Sequence, residues 1–343
     1  MYVASSGMVC SVGLSAESAC AAIRAGIANF DELPYRDNQG EPIVGAVVPG
    51  LDPRLDRRRR LLAMSSAAVA DCLDGQSPIS SAGIPLFLCL AEEQRPGGGA
   101  AMASQIIDGV QAELQIDFHP TLSRAVTRGH ASAFAALGMI RQLLSRPEIP
   151  ACLLCGVDSY INASSLLWLD ENSRLKTALN HHGLIPGEAA AAVLLKKRPE
   201  TASAVQVIGL GFDLEKSHVL SEEPLLGLGL SSAARNALAE AEVGLHEIDW
   251  RVSDLSGEQY GFKELTLVAS RLIRVVRQES QPLWHGAQSL GEIGAAAGVA
   301  QLIMVERAFR QGYACGEKVI CLTSSVSGDR AAAVLQGQAS QAR

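Results

Sequence analysis

HGAQSLGEIGAAAGVAQLI, residues 285–303, decides how this chain is read. Gly291 and Gly294 bracket a lone carboxylate, Glu292, and a run of alanines leads into an ordinary apolar stretch. Each interior glycine costs a helix roughly 1 kcal/mol against alanine. So small a helix persists where other backbone must approach it closely. It is either a buried helix of an α/β protein or one whose first turn faces a pocket. The chain contains an echo of it. GHASAFAALGMIRQLL (129–144) leads to ACLLCG (151–156), as GEIGAAAGVAQLIMVERAF (291–309) leads to KVICLTSS (318–325). Each is a glycine-and-polar start, a small-residue helix and a buried strand. That pattern predicts a duplicated fold with the two helices face to face at its centre. The halves, 1–198 and 199–343, form one compact unit and meet in the charged, proline-bearing stretch KKRPETAS (196–203).

Working outward, short β-like runs alternate with Ala/Leu-rich helices, which implies layered α/β architecture. MYVASSGMV, IPLFLCLA, ACLLCGVDSY, EAAAAVLLKK, SAVQVIGLGFD, IDWRVSDL and KVICLTSS read as strands. SAESACAAIRAG reads as a helix capped by Ser15 with Glu17 in its first turn. RRLLAMSSAAVADCL, LLGLGLSSAARNALAEAEV and KELTLVASRLIRVVR are further helices. The 343 residues are 48% hydrophobic and 19% charged, enough for about two domain-sized units with a large core. The apolar runs are too short and broken for a membrane span, and the N-terminus lacks a signal peptide's basic and apolar regions. A net charge of −7 argues against nucleic acid as a partner. The eight cysteines sit in apolar stretches, as reduced core thiols of a cytoplasmic protein do. Cys152 and Cys155 form a CxxC that would be redox or metal chemistry if it opened a helix. Inside a buried strand the two point to opposite faces.

The motifs in order resemble those of the β-ketoacyl-acyl-carrier-protein synthases of the thiolase superfamily. VASSGMVCSVGLSAESACAAIRAGIANF (3–30) is similar to the family's opening strand, turn and helix, and DPRLDRRRRLLAMSSAAVADCL (52–73) to its arginine-containing loop and helix. GVDSYINASSLLWL (156–169) and GLIPGEAAAAVLL (183–195) resemble the family's central segment and following strand, and SLGEIGAAAG (289–298) its G-H-x-x-G-A-A-G. The resemblance covers nearly the whole chain. It implies a thiolase-like fold, a duplicated five-layered αβαβα architecture, and a homodimer built by extending the sheet across a two-fold axis. It also implies no cofactor and no metal.

The same resemblance implies chemistry whose residues differ here. The family's nucleophilic cysteine, a thiolate at a helix N-terminus, matches Gly129 or His130 in VTRGHASAFAAL. The first family histidine matches Ser256 in SDLSGEQYG, the second matches Glu292, and the family lysine matches Ala287. The loop whose amides help form the oxyanion hole becomes SSVSGDRAA (324–332). A carboxylate at 292 would repel a developing oxyanion, and no nucleophile remains to carry an acyl group. The chain is therefore expected to be a silent ketosynthase-like protein that binds another protein, an effector or an acidic carrier protein. Relatives without the cysteine include chain-length factors, and the opening stretches GMVCSVGLSAESACAAIRAGI (7–27) and ELPYRDNQGEPIVGA (32–46) resemble those of short ketosynthase-like proteins of type VI secretion gene clusters. In the latter setting the role would be that of an adaptor for effector loading. The competing expectation is an acyl transferase or thioester hydrolase using His130, Ser256 and Glu292 in new roles. Glu292 paired with His130 at a helix start is the structural alternative. Arg57, Arg58, Arg59 and Arg60 are either a solvated helix start or a docking patch for an acidic partner.

Overall fold

The computed structural model describes residues 1–52, 54–76, 83–199, 204–275 and 279–337. In the first half the elements run β1 (Tyr2–Cys10), α1 (Ala16–Arg24), a hairpin of β2 (Asp31–Arg36) and β3 (Pro42–Gly45), α2 (Arg57–Leu73), β4 (Leu86–Cys89) and α3 (Ala103–Leu114). They continue with β5 (Arg124–Val126), α4 (Ser132–Leu144), β6 (Ala151–Ser159), α5 (Ala163–Glu171) and β7 (Glu188–Lys196). The second half holds β8 (Val205–Leu214), α6 (Leu228–Glu240), β9 (Trp250–Ser253), α7 (Gln259–Leu272) and β10 (Leu283–His285). It ends with α8 (Ala287–Leu290), α9 (Ala297–Arg310), β11 (Lys318–Ser324) and β12 (Asp329–Gln336).

Two five-strand runs with the same order and polarity make the duplication visible. One runs β1-β7-β6-β4-β5 and the other β8-β12-β11-β9-β10. In each, the first two pairings are antiparallel and the last two parallel. They join through β1 and β8, at Tyr2↔Gln206 and Val3↔Val205. The linking stretch 196–203 falls between β7 and β8, and its residues 200–203 lie outside the described residues.

The layers follow from strand alternation, because successive side chains face opposite ways. In β6, Cys152 and Leu154 enter the central core, while Leu153, Cys155 and Val157 enter an outer core under α2 and α3. In β11, Val319 and Cys321 face the centre, and Ile320 and Leu322 face a second outer core under α6 and α7. The central layer is built on α1, α4 and α9. There α4 and α9 meet closely enough that a Cβ on Gly298 would lie 2.7 Å from that of Ala133. The two cysteines of the CxxC thus sit on opposite sides of one sheet. β7 (EAAAAVLLK) and β12 (DRAAAVLQ) supply thin, buried centres that let helices close on both faces.

Two expectations shift at the element ends and one holds. The α7 helix starts at Gln259 and ends at Leu272, so Ile273, Arg274 and Val275 of the expected helix lie beyond it, and its last two residues fall outside the described residues. The small helices α4 and α9 are each entered through a single 3₁₀ turn, Gly129–Ala131 and Gly294–Ala296. Ser15 caps α1 as expected, accepting from the Ser18 N–H at 3.2 Å.

Candidate functional site

The duplication brings the two 3₁₀ turns together at the centre of the molecule. Both begin with a glycine in the left-handed region, Gly129 (φ 52°) and Gly294 (φ 50°), where a side chain would be strained. A carboxylate sits on each glycine. A Cβ at 129 would lie 2.0 Å from Glu92 Oε1, and one at 294 would lie 2.1 Å from Asp158 Oδ2. Asp158 accepts the Ala295 N–H at 3.0 Å and is held by a buried ion pair with Arg95. Arg95 lies over the Tyr160 ring at 4.0 Å. Glu92 accepts from Ser325 Oγ at 2.5 Å and the Val326 N–H at 3.2 Å, both in the loop between β11 and β12.

His130 and Glu292, 3% and 4% exposed, face each other between these turns. The His130 Nε2 donates to Glu292 Oε1 at 2.7 Å, and the Gly294 N–H donates to the same oxygen at 2.7 Å. The Glu292 backbone is pinned as well: its N–H donates to Ile185 at 2.7 Å, and its carbonyl accepts from Gly187 at 3.0 Å. Burial alone would lower His130, but the Glu292 carboxylate and its hydrogen bond outweigh it and push the imidazole up to about 9. Burial would raise Glu292, yet His130, the Gly294 amide and Arg174 hold it down at about 2. Near neutral pH the pair is an imidazolium–carboxylate ion pair. Asp254, beyond it, is pushed up to about 6 by burial, against the pull of His130. It accepts the Ser324 N–H at 2.7 Å.

The structure brings the five sequence-derived positions into one place. His130, Ser256 and Glu292 line a common cavity of about 50 Å³ with Asp254, Glu258 and Arg174. Ala287, the first residue of α8, lines an adjoining space of about 20 Å³ with Ser256 and Glu292. Gly129 precedes His130 and carries Glu92. At ~10–15 Å³ per water, the larger space has room for about four waters. Among the described residues Ser256 makes no side-chain hydrogen bond to His130 or Glu292. Buried ion pairs wall the cavity: Arg174 with Glu258 (2.8 and 2.6 Å), and Arg330 with Glu264 (2.8 Å).

The arginine run does not form one exposed patch. Arg60 is 5% exposed and clamps Glu188 through two bonds of 2.6 Å. Arg57 turns inward to Asp158 at 3.5 Å and to Ser165 Oγ at 3.2 Å. Residues three apart share a helix face, so these two face the core. Arg59 is exposed beside Asp56, the helix cap. Sequence reasoning gave Glu92, Arg95 and Asp158 no role. Asp158 at the end of the apolar run ACLLCGVDS was the legible signal, since a buried carboxylate demands a cation.

No protein-family model matches the chain, and no curated protein matches it. Solved structures do. A ketosynthase/chain length factor for ishigamide superposes with a TM-score of 0.78 at 16% identity, over 98% of both chains. A type II polyketide synthase acyl-carrier protein in complex with its ketosynthase (AntDE:AntF) gives 0.79 at 13%, over 98% of this chain and 99% of that one. A β-ketoacyl synthase from Burkholderia phymatum gives 0.72 at 14%, over 98% and 99%. The fold is thiolase-like. At these identities the likeness establishes architecture and leaves the chemistry to the residues. No described helix is long and apolar enough to cross a membrane.

The cysteines bear on that chemistry directly. Seven are buried and Cys315 is exposed. No cysteine lines either part of the central cavity. Burial pushes Cys10 up to about 11, and Cys20, Cys72, Cys152 and Cys155 up to about 12. Cys89 and Cys321 also rise through burial. Brief iodoacetamide treatment of the folded protein at pH 7.5 is therefore expected to add one carbamidomethyl group, at Cys315, by peptide mass spectrometry. Rapid labelling at any second cysteine would reveal a reactive thiolate in the fold.

Proposed function

We propose that this chain is a catalytically silent ketosynthase-like protein that works by binding another protein. The observation that carries this is the His130–Glu292 pair at the mouth of the central helices. Where the resemblance calls for a thiolate there is an imidazolium, its Nε2 committed to a carboxylate. Where it calls for an imidazole donor there is that carboxylate. With Glu292 pushing His130 up to about 9, the imidazole is largely charged near neutral pH and a poor base. Among the described residues it makes no hydrogen bond to Ser256, and both points weigh against the hydrolase and acyl-transferase alternative. Chain length factors, present beside ketosynthases in two of the similar structures, offer the pattern for a partner-binding role. The role fits a homodimer acting as an accessory or adaptor. The sequence resemblance points to effector loading in type VI secretion, with an effector or acidic carrier protein as partner.

Incubation with acetyl- and malonyl-thioesters of coenzyme A and of an acyl-carrier protein tests this. The intact protein is expected to show no acyl adduct by mass spectrometry, and thiol release is expected to match the buffer rate. Turnover abolished by Ser256→Ala or Glu292→Gln would overturn the proposal.

A further inference from the structure

The second half of the sheet ends in a free edge beside a shaped groove. Among the described residues β10 pairs only with β9, in parallel, at Leu283↔Arg251, Trp284↔Val252 and His285↔Ser253. The Arg251 N–H donates to Pro282 at 2.8 Å. In a parallel ladder a residue's N–H and C=O point the same way and alternate along the strand. Pro282 and Trp284 thus face β9, and the backbone groups of Leu283 and His285 face outward. Leu283, Trp284 and His285 all line one groove of about 300 Å³. Ile23 and Met304 belong to α1 and α9 of the central layer, so the groove lies beside the strand edge on that face of the sheet.

The groove has a floor and a rim of distinct chemistry. Ile23 of α1 and Met304 of α9 make it apolar, and Tyr313 stacks near Trp284 (centroids 6.1 Å apart, planes 26° apart). Trp284 in turn rests on the buried Trp250 at 4.3 Å, so the aromatic wall is anchored in the core. The Arg24 guanidinium lies over the Tyr313 ring at 4.3 Å and is the fixed charge of the lining, with no carboxylate among the lining residues. On a chain of net charge −7 this is a local cationic rim.

We infer that β10 receives an extended segment of a partner protein as an added strand, with a large apolar side chain in the groove and an acidic residue at Arg24. Strand addition draws affinity from main-chain bonds and specificity from alternate side-chain pockets. The groove supplies one such pocket, and the charge of Arg24 selects the flanking residue. The inference rests on the partner-binding reading above and gives it a surface that adjoins the Ala287 end of the central cavity, with Met304 lining both.

The test is selection of a random twelve-residue display library on the full chain, followed by anisotropy titration of the synthetic winners. Enriched peptides are expected to carry a large apolar residue within two positions of Asp or Glu. Ile23→Trp, which fills the groove, and Arg24→Glu should each weaken them at least tenfold, while Arg59→Glu leaves affinity unchanged. Peptide N-methylation should abolish binding at alternate positions and be tolerated between them. No enrichment, indifference to both groove variants, or uniform tolerance of N-methylation would overturn the inference. Displacement of the peptides by phenylacetate at equal concentration would do the same, by marking a small-molecule pocket. None of these results touches thioester turnover, so the silent-protein reading stands or falls separately.

Discussion

Glu292→Ala is expected to destabilise the protein by about 3–5 kcal/mol, the usual cost of stranding one member of a buried ion pair. The imidazolium loses its partner and the Gly294 N–H its acceptor. His130→Ala should cost a similar amount, because it leaves a carboxylate buried with one amide bond. The double variant His130→Leu/Glu292→Met should recover most of that loss, since an apolar pair of similar volume needs no compensation. The pH dependence separates ion pairing from packing. His130 is raised to about 9, so its share is complete below its ordinary value of 6.5 and fades as pH climbs through 9. Glu292 is lowered to about 2, so its share is complete above its ordinary 4.5 and fades as pH falls through 2. The gap between wild type and Glu292→Ala should therefore be widest between pH 4.5 and 6.5 and narrow above 9. Urea midpoints at constant slope across pH measure it. In Glu292→Gln the His130 titration, followed by imidazole NMR, should fall clearly below its wild-type position, because burial is then opposed only by the Asp254 and Glu92 carboxylates. A gap that ignores pH would mean the two side chains merely fill space.

A comparable loss is expected from Glu188→Ala, again about 3–5 kcal/mol. Glu188 is fully buried and accepts two bonds from Arg60, one from Ser159 Oγ at 2.8 Å and one from the Val48 N–H at 3.0 Å. Its loss strands the Arg60 guanidinium between α2 and β7. Arg60→Ala should be nearly as costly, whereas Arg59→Glu, at an exposed position, should stay within about 0.5 kcal/mol. Thermal and urea unfolding of the three variants decides whether the run RRRR is a surface or a strut. Equal small effects at 59 and 60 would restore it as a surface patch.

The sequence made the framework legible because that framework is written in short-range pattern. Apolar alternation placed β6 and β11, and with them the opposite orientation of Cys152 and Cys155. Small-residue content identified α4 and α9 and their face-to-face packing, which the structure makes at Ala133 and Gly298. Strands of three residues, β5 and β10, carry too few positions for any period to show, and the β2–β3 hairpin lies in a mixed polar stretch. The five degenerate-pocket positions came from the resemblance to the ketosynthase motifs, and the His130–Glu292 contact was one of the weighed alternatives. The cavity's size had no signature in the chain order, because residues from both halves jointly wall it.

What the sequence determined by itself is the principal strands and helices, the repeated small-helix-then-strand order of the two halves and the absence of cysteine at the starts of the two central helices. Only the tertiary structure decided the protonation of His130 and the inward turn of Arg57 and Arg60. The reason is electrostatic. A buried charge is set by partners that folding brings from 162 residues away for His130 and Glu292 and 128 for Arg60 and Glu188, and local pattern carries no record of them.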